Sequence, residues 1–225
     1  MSERKIVIPG EIIAEGEEYL PGEWTEKSGD KVFALRYGLV EESNKLIKII
    51  PLSGTYQPRK GNVVIGVVEN ILLNGWVIDI GTPENSFLPV SEVPKYVNKY
   101  SLNEVIDIGN LVVAKIFEIN KRGIDLTIRA RGLGKVEKGT VIRINSNRVP
   151  RVIGKEGSMI NLIKEETNCK IVVGQNGLIW IEGDKIEDEI LAKRAINFIS
   201  EKPFISGLTD EVKKWLEKAK ENEEN

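Results

Sequence analysis

Two glycines separated by two charged residues, Gly154-Lys155-Glu156-Gly157, form the stretch of this sequence best suited to phosphate binding. Glycine has no Cβ atom, so a glycine pair lets the backbone approach a phosphodiester chain closely. The residues that follow predict an amphipathic helix, because Met159, Ile160 and Ile163 are apolar at helical spacing. The N-terminus of such a helix offers backbone N–H groups and the positive end of its dipole to an anion. The sequence therefore predicts a phosphate-binding turn.

The elements predicted after this turn follow the order of a KH domain. They are an extended segment, a turn, a strand and a helix, at Lys170–Val173, Gly174–Gly177, Leu178–Ile181 and about Ile186–Ile199. KH domains use a Gly-x-x-Gly loop to clamp about four nucleotides of single-stranded RNA or DNA. The alternative is a plain turn into a helix, where glycine is only sterically convenient.

Basic residues are concentrated in the same region. Residues 140–173 contain six Lys or Arg and three acidic residues, whereas the whole chain has a net charge of −2. Positive charge beside a glycine turn favours binding to phosphate. The candidate RNA-binding residues of this region are Arg148, Arg151, Gly154, Lys155, Glu156 and Gly157.

The residue types that the chain lacks exclude several chemistries. It contains no histidine, which excludes His-based acid–base catalysis, Ser-His-Asp triads and His-ligated metals. Its single cysteine, Cys169, can form neither an internal disulfide nor a zinc site, and we expect it to be a small buried residue. We find no paired Asp/Glu motif of the metal-binding kind. We therefore expect a non-catalytic protein without a metal or cofactor.

The composition is that of an ordinary globular protein, with 41% hydrophobic and 29% charged residues. No apolar run approaches the roughly 18 residues that span a bilayer, and the N-terminus lacks the apolar segment of a signal peptide. We therefore expect no membrane contact and a cytoplasmic location. The distribution of turn signals and short apolar runs along the 225 residues suggests two or three small domains.

Residues 1–55 are predicted to form a small all-β docking domain. Turn signals alternate with short β-type runs at Ile6–Ile8, Val32–Leu35 and Leu46–Leu52. The segment has seven basic and ten acidic residues, a net charge of −3. Negative charge opposes phosphate, so we expect this domain to contact protein and not RNA.

Residues 56–131 are predicted to form a five-stranded OB-fold barrel, a fold that binds oligonucleotides. Its strands are predicted at Val63–Val68, Trp76–Ile80, Asn85–Leu88, Leu111–Ile119 and Ile124–Ile128, with a helical turn or loop at Ser91–Asn98. A linker at 132–139 leads to an α/β KH domain with a C-terminal helix at 140–225. The apolar stripe of that helix, Val212, Trp215, Leu216 and Ala219, is predicted to dock on the KH domain or on a partner.

With these domains in this order, the chain resembles the RNA-binding cap subunit of the archaeal exosome, the counterpart of eukaryotic ribosomal-RNA-processing protein four. The resemblance covers nearly the whole chain. It is carried by Ile8-Pro9-Gly10-Glu11, the barrel strand Gly75–Gly81 and the segment Ile153–Ile160. The run from Gly174 to Trp180 resembles the Gly-x-Asn-Gly signature of exosome KH domains, which generic KH domains lack.

The resemblance implies a non-catalytic role in RNA degradation. Three such subunits cap a ring of phosphorolytic RNase PH-like subunits, gather single-stranded RNA and feed its 3′ end into the central pore. It also implies that the N-terminal domain and the barrel pack on the ring, with the KH domains toward the periphery.

The barrel departs from the pattern of RNA-binding barrels of the ribosomal S-one type. These usually present two aromatics and a histidine, where this chain has Leu73, Trp76 and Pro89. We therefore expect the barrel to hold RNA mainly through charge, with few aromatic rings for base stacking. Its candidate RNA-binding residues are Trp76, Phe87, Lys121, Arg122 and Arg129.

Each of these assignments has a structural alternative. Trp76 could be a tryptophan of the barrel core, and Lys121-Arg122 a solvated hairpin tip. Trp180 lies in an apolar strand and is expected to be core. For the whole chain, one alternative function is a free-standing translation or antitermination factor. Another is a nuclease, which agrees less well with the absence of histidine.

Overall fold

The computed structural model of the protein describes residues 5–94, 101–201 and 208–223. The chain forms two compact units, one through Gly54 and one from Thr55 onward. Each unit has hydrophobic core residues of its own.

The first unit is all-β within its described residues, as predicted. Its strands are β1 (Ile6–Val7), β2 (Ile12–Glu15), β3 (Leu20–Pro21), β4 (Thr25–Ser28), β5 (Lys31–Ala34), β6 (Gly38–Ser43) and β7 (Leu46–Pro51). They form two sheets, in the orders β1-β6-β7-β3 and β2-β5-β4. The buried side chains of Val7, Ala34 and Ile49 form the core of this unit.

The second unit begins with a closed barrel, which confirms the predicted five-stranded fold. Its elements are β8 (Val63–Leu72), β9 (Gly75–Asp79), β10 (Ser86–Pro89), α1 (Leu102–Val105), β11 (Leu111–Asn120) and β12 (Gly123–Thr127). Neighbouring strands pair in the order β8-β9-β10-β12-β11, and β11 returns to β8. The fully buried side chains of Trp76, Leu88, Ile116 and Leu126 lie in its interior.

The segment predicted as a helical turn or loop at Ser91–Asn98 is described in part. Val90–Glu92 form a single 3₁₀ turn. The part from residue 95 onward lies outside the described residues.

The rest of the second unit has the predicted KH order of elements. They are β14 (Thr140–Arg143), α2 (Val149–Ile153), α3 (Ser158–Thr167), β15 (Lys170–Val173), β16 (Leu178–Glu182), α4 (Ile186–Glu201) and α5 (Leu208–Glu223). The strands form an antiparallel sheet in the order β14-β16-β15. Ile179 and Ile181 of the sheet share one buried core with Val152, Ile163 and Ile196 of the helices.

The C-terminal helix α5 packs on the KH core, which confirms the predicted docking of its apolar stripe. Leu208, Val212 and Leu216 are buried in that core. Trp215 stacks on Phe198 of α4, with 5.3 Å between the ring centroids. Burial of this stripe ties the last helix to the chain's own KH domain.

Part of the predicted linker is a β-strand. Gly134–Val136 form β13, which pairs with Leu111–Val113 of β11 at the margin of the barrel. Beyond it, the Lys138 carbonyl accepts a 2.7 Å hydrogen bond from the indole N–H of Trp180. Trp180 is half-buried and lies on the sheet face opposite the helices. The prediction that Trp180 is a core residue is therefore wrong.

The turn between β15 and β16 joins the KH domain to the barrel. The backbone N–H of Gln175 donates to the Val63 carbonyl at 2.7 Å. The side-chain amide of Asn176 accepts from the Ile65 N–H at 3.3 Å and donates to the Ile65 and Ile80 carbonyls at 2.7 and 2.9 Å. Gly174 is needed beside it, because an added Cβ atom would lie 2.5 Å from the Asn176 Oδ1 atom. The Gly-x-Asn-Gly run thus forms a contact between the KH domain and the barrel.

We expect Asn176→Ala to destabilise the second unit, because it leaves the Ile65 N–H and two carbonyl groups without their amide partner. Loss of such partners costs roughly 1–3 kcal/mol per group left unsatisfied. In a unit of this size about 1 kcal/mol lowers the melting temperature by about 2–4 °C, so we expect a fall of roughly 6 °C or more. Thermal unfolding followed by circular dichroism measures this change, with the exposed Asn103→Ala as control.

Asn176→Asp sharpens the test. The carboxylate keeps the acceptor for the Ile65 N–H but places negative oxygen against the Ile65 and Ile80 carbonyls. We expect it to be at least as destabilising as Asn176→Ala. A melting temperature equal to that of the unmodified protein would contradict this account of the contact.

Candidate nucleic-acid interface

The Gly-x-x-Gly turn connects two helices through backbone that requires glycine. Helix α2 ends at Ile153 and is followed by Gly154, whose φ is +74° and whose N–H donates to the Pro150 carbonyl at 3.0 Å. A Cβ atom at Gly154 would lie 2.7 Å from both the N and Cβ atoms of Met159. Gly157 also has positive φ, at +81°. The sequence folds here into a tight turn that brings the backbone to the surface at the start of α3.

The two residues inside the turn are exposed and leave the first turn of α3 open. Lys155 and Glu156 are both exposed, and Glu156 has the left-handed φ of 52°. Within the described part of the chain, no side chain caps the N-terminus of α3. The first N–H groups of a helix have no intrahelical acceptor, so they can bind an anion. An exposed lysine beside them adds a positive charge suited to phosphate.

The two predicted arginines lie on the helix before the turn. Arg148 is half-buried at the start of α2, and Arg151 is exposed in its last turn. The side chain of Asn145 accepts the Asn147 N–H at 3.0 Å and orders the backbone just before them. Arg151 and the Gly154–Gly157 turn are therefore brought together at the end of α2, whereas Arg148 lies at the other end of that helix.

The structure places Trp76 in the barrel core. Its side chain has 0% exposure, and its indole N–H donates to the Ile106 carbonyl at 2.8 Å. A nucleobase needs an accessible ring face for stacking. The prediction that Trp76 binds RNA is therefore wrong. The alternative, a tryptophan of the barrel core, is confirmed. Phe87 is half-buried on β10, opposite Val77 of β9.

Arg129 is used by the fold. Its Nε atom donates to the Ser91 carbonyl at 3.0 Å, a second guanidinium N–H reaches the same oxygen, and the Glu92 carboxylate lies 3.9 Å away. The guanidinium therefore secures the 3₁₀ turn after β10. Its positive charge is partly balanced by Glu92, which weakens it as a phosphate contact.

Lys121 and Arg122 form the exposed tip of the hairpin between β11 and β12. The Asn120 side chain accepts the Arg122 N–H at 2.8 Å and donates to the Asp125 carboxylate at 2.8 Å. This brace orders the backbone of the tip while both basic side chains remain exposed. The tip can present two positive charges to a phosphate chain.

One aromatic residue of the barrel surface was not among the predicted ones. Phe117 is 49% exposed and lies where the pairing of β11 with β12 shifts register between Ile116 and Glu118. The Lys60 ammonium lies 5.8 Å from the centroid of its ring. Lys115, a charged residue two positions earlier on the same face of the strand, is the sequence signal that predicts an outward-facing Phe117.

Cys169 has the environment of a structural residue. It is buried, and its thiol donates to the Thr167 carbonyl at 3.3 Å. Burial raises the pKa of the thiol, which disfavours the nucleophilic thiolate. Among the described residues, no group of three His, Cys, Asp or Glu side chains could hold a metal ion. In the same part of the chain, no helix is both long and apolar enough to cross a membrane.

Two segments of the chain match known protein families. Residues 4–53 match the family described as "Exosome RNA binding protein RRP4 N-terminal domain". Residues 139–199 match the KH domain family. The second match contains the Gly154–Gly157 turn and the Asn176 contact.

Several relatives that align over nearly the whole of this chain share one name. The exosome complex component Rrp4 of Methanobrevibacter smithii is 41% identical over 98% of this chain and 73% of its own length. That of Methanothermus fervidus is 42% identical over 96% of both chains. A crystal structure assigned as an exosome complex RNA-binding protein is 32% identical with a TM-score of 0.68, covering 76% of this chain and 99% of that one. Identity at this level over nearly the whole length shows that the chain belongs to the Rrp4 family of exosome complex components.

Proposed function

We propose that this chain is a non-catalytic RNA-binding subunit of the exosome cap. In this role it recruits single-stranded RNA and guides the 3′ end into a ring of RNase PH-like subunits for 3′-to-5′ degradation or processing. The observation that carries the proposal is the Gly154–Gly157 turn, with exposed Lys155 beside the start of α3, which no side chain of the described residues caps. The name that the relatives share supports the assignment to an exosome.

The proposed RNA contacts are mainly with phosphate. In the KH domain they are the backbone of the Gly154–Gly157 turn, Lys155 and Arg151. In the barrel they are Lys121 and Arg122, with Phe117 and half-buried Phe87 as the accessible aromatic rings. Phosphates recur along any RNA strand, so such contacts bind many sequences with similar affinity. This property suits a subunit that delivers RNA of varied sequence to a nuclease.

The first unit is proposed to dock on the ring, in a cap with three copies of the chain. Large apolar side chains are exposed on it, among them Ile8 at 59% and Leu20 at 57% exposure. An exposed apolar surface of this kind is typical of a protein contact. The net charge of −3 over residues 1–55 opposes a role in RNA binding.

We expect the isolated protein to degrade no RNA, with or without phosphate and divalent metal. It contains no histidine, and among its described residues no group of three His, Cys, Asp or Glu side chains could hold a metal ion. Incubation of a homogeneous preparation with labelled RNA measures this directly. Turnover that co-purifies with the chain and scales with its concentration would contradict the non-catalytic assignment.

The double variant Lys155→Asp with Glu156→Asp tests the KH turn. We expect weaker RNA binding and a slope of log affinity against log salt that is smaller by roughly 0.7 for each phosphate interaction that the variant removes. Fluorescence anisotropy with a labelled oligouridylate at several salt concentrations measures both. Lys214→Asp with Glu217→Asp on exposed positions of α5 makes the same charge change away from the turn. Equal slopes and affinities for the turn variant and the unmodified protein would mean that the glycines only make a turn.

The double variant Ile8→Ser with Leu20→Ser tests the docking role of the first unit. We expect it to lose co-elution with the RNase PH-like ring on gel filtration while keeping its affinity for RNA. Exposed polar positions of the same unit, Glu26→Ser with Asp30→Ser, serve as control. Normal assembly of the apolar variant, together with normal assembly of a chain lacking residues 1–54, would place the docking surface elsewhere.

A further inference from the structure

A groove of about 800 Å³ lies in the second unit, between the chain around β13 and the outer face of the KH sheet. One wall is formed by residues 132–138 and the other by parts of β15 and β16, with Val113 of the barrel and the end of α3 completing it. The groove is therefore a feature of the joined domains. It does not include the Gly154–Gly157 turn.

The groove carries more positive than negative charge. Four lysines from three parts of the chain line it, together with two glutamates, Glu137 and Glu182; the lysines are Lys135, Lys138, Lys164 and Lys170. Lys170 pairs with Glu182 at 3.2 Å. Within the part of the chain that the structure describes, Lys135, Lys138 and Lys164 form no ion pair. The groove thus holds uncompensated positive charge, which suits a polyanion.

An aromatic ring lies on the wall of the groove, in a fixed orientation. Trp180 is half-buried on the outer sheet face, between Val141 and Val172 on the neighbouring strands. The bond from its indole N–H to the Lys138 carbonyl ties the ring to the opposite wall. A ring held in this way loses little conformational freedom when a planar group stacks on it. Lysines around an aromatic ring are the combination that binds single-stranded nucleic acid.

We propose that this groove binds a segment of single-stranded RNA, with one base against Trp180 and phosphates near Lys135, Lys138, Lys164 and Lys170. The inference rests on the proposed RNA-binding function and adds a second site to it. The two sites lie toward opposite ends of α3, a helix of 10 residues whose length is about 15 Å. RNA in the groove touches both walls and so bridges the connection from the barrel to the KH domain.

The charge of the groove is tested with the full chain and a labelled oligouridylate. We expect Lys135→Ala with Lys138→Ala to reduce the slope of log affinity against log salt by roughly 1.4, the effect of removing two phosphate interactions. Lys213→Ala with Lys214→Ala, at exposed positions of α5, removes the same charge and should leave the slope unchanged. Equal slopes for the two double variants would overturn the proposal.

The role of the ring is tested at Trp180. We expect Trp180→Ala to weaken binding by roughly 5- to 150-fold, the usual effect of removing one base–aromatic stack. Trp180→Phe keeps a ring but lacks the N–H group, so it should retain most of the affinity. If both variants lose affinity equally while their melting temperatures fall, Trp180 acts only in folding, and the stacking part of the proposal is wrong.

Lysine acetylation mapped by mass spectrometry locates the RNA without any substitution. Saturating oligouridylate should protect the four groove lysines and leave Lys213 and Lys214 reactive. Protection of Lys155 without protection of the groove would overturn this inference and leave the proposed function standing. Absence of any RNA binding by the unmodified chain would overturn both. Binding of polyglutamate, and not of oligouridylate, to the groove would identify an acidic protein segment as its ligand and also overturn the proposal.

Discussion

The arrangement of the second unit depends on the side-chain amide of Asn176. A primary amide carries both a donor and an acceptor. It can therefore form hydrogen bonds with both the N–H and the C=O of Ile65, as a neighbouring strand would. The same amide also reaches the Ile80 carbonyl. A second attachment is the pairing of β13 with β11, which fixes the chain that connects the two domains to the barrel. Two separate attachments restrict rotation of the KH domain, and they set the position of its Gly154–Gly157 turn and of the groove beside β13.

Much of this fold could be predicted from local sequence patterns. Strands β8, β9, β11 and β12 are rich in Val and Ile and are bounded by turn residues, and the stripe of α5 has helical spacing, so their types followed from the sequence. The strands of the first unit were harder to predict, because they are short and partly exposed. Strand β4, Thr25–Ser28, has no apolar residue. The turn from β6 to β7 places Asn44 and Lys45 at φ values of 50° and 65°, and lysine is not a residue that predicts a left-handed turn.

The two tryptophans show why the candidate site was only partly predictable. Trp76 was a candidate for stacking on RNA and Trp180 for the core, but Trp76 lies in the barrel core and Trp180 is half-buried on the outer face of the KH sheet. A period of two tells which residues of a strand share a face, but not which face is buried. Trp76 is buried because its partner Leu88 also faces the barrel interior. Trp180 faces outward because Ile179 and Ile181 take the face that meets the helices. These choices depend on elements distant in sequence.

The burial of Trp76 shifts the balance of the proposed RNA contacts toward charge. The basic side chains concerned are exposed at turns and in the groove, whereas Arg129 is held by the Ser91 carbonyl and Glu92. A lysine can exchange one phosphate for the next along a strand, since successive phosphates are chemically alike. A pocket that recognises base edges would hold the strand in one register. In the proposed role, RNA passes toward the ring and its contacts must break and reform at each step; charge contacts with few stacking rings meet that requirement.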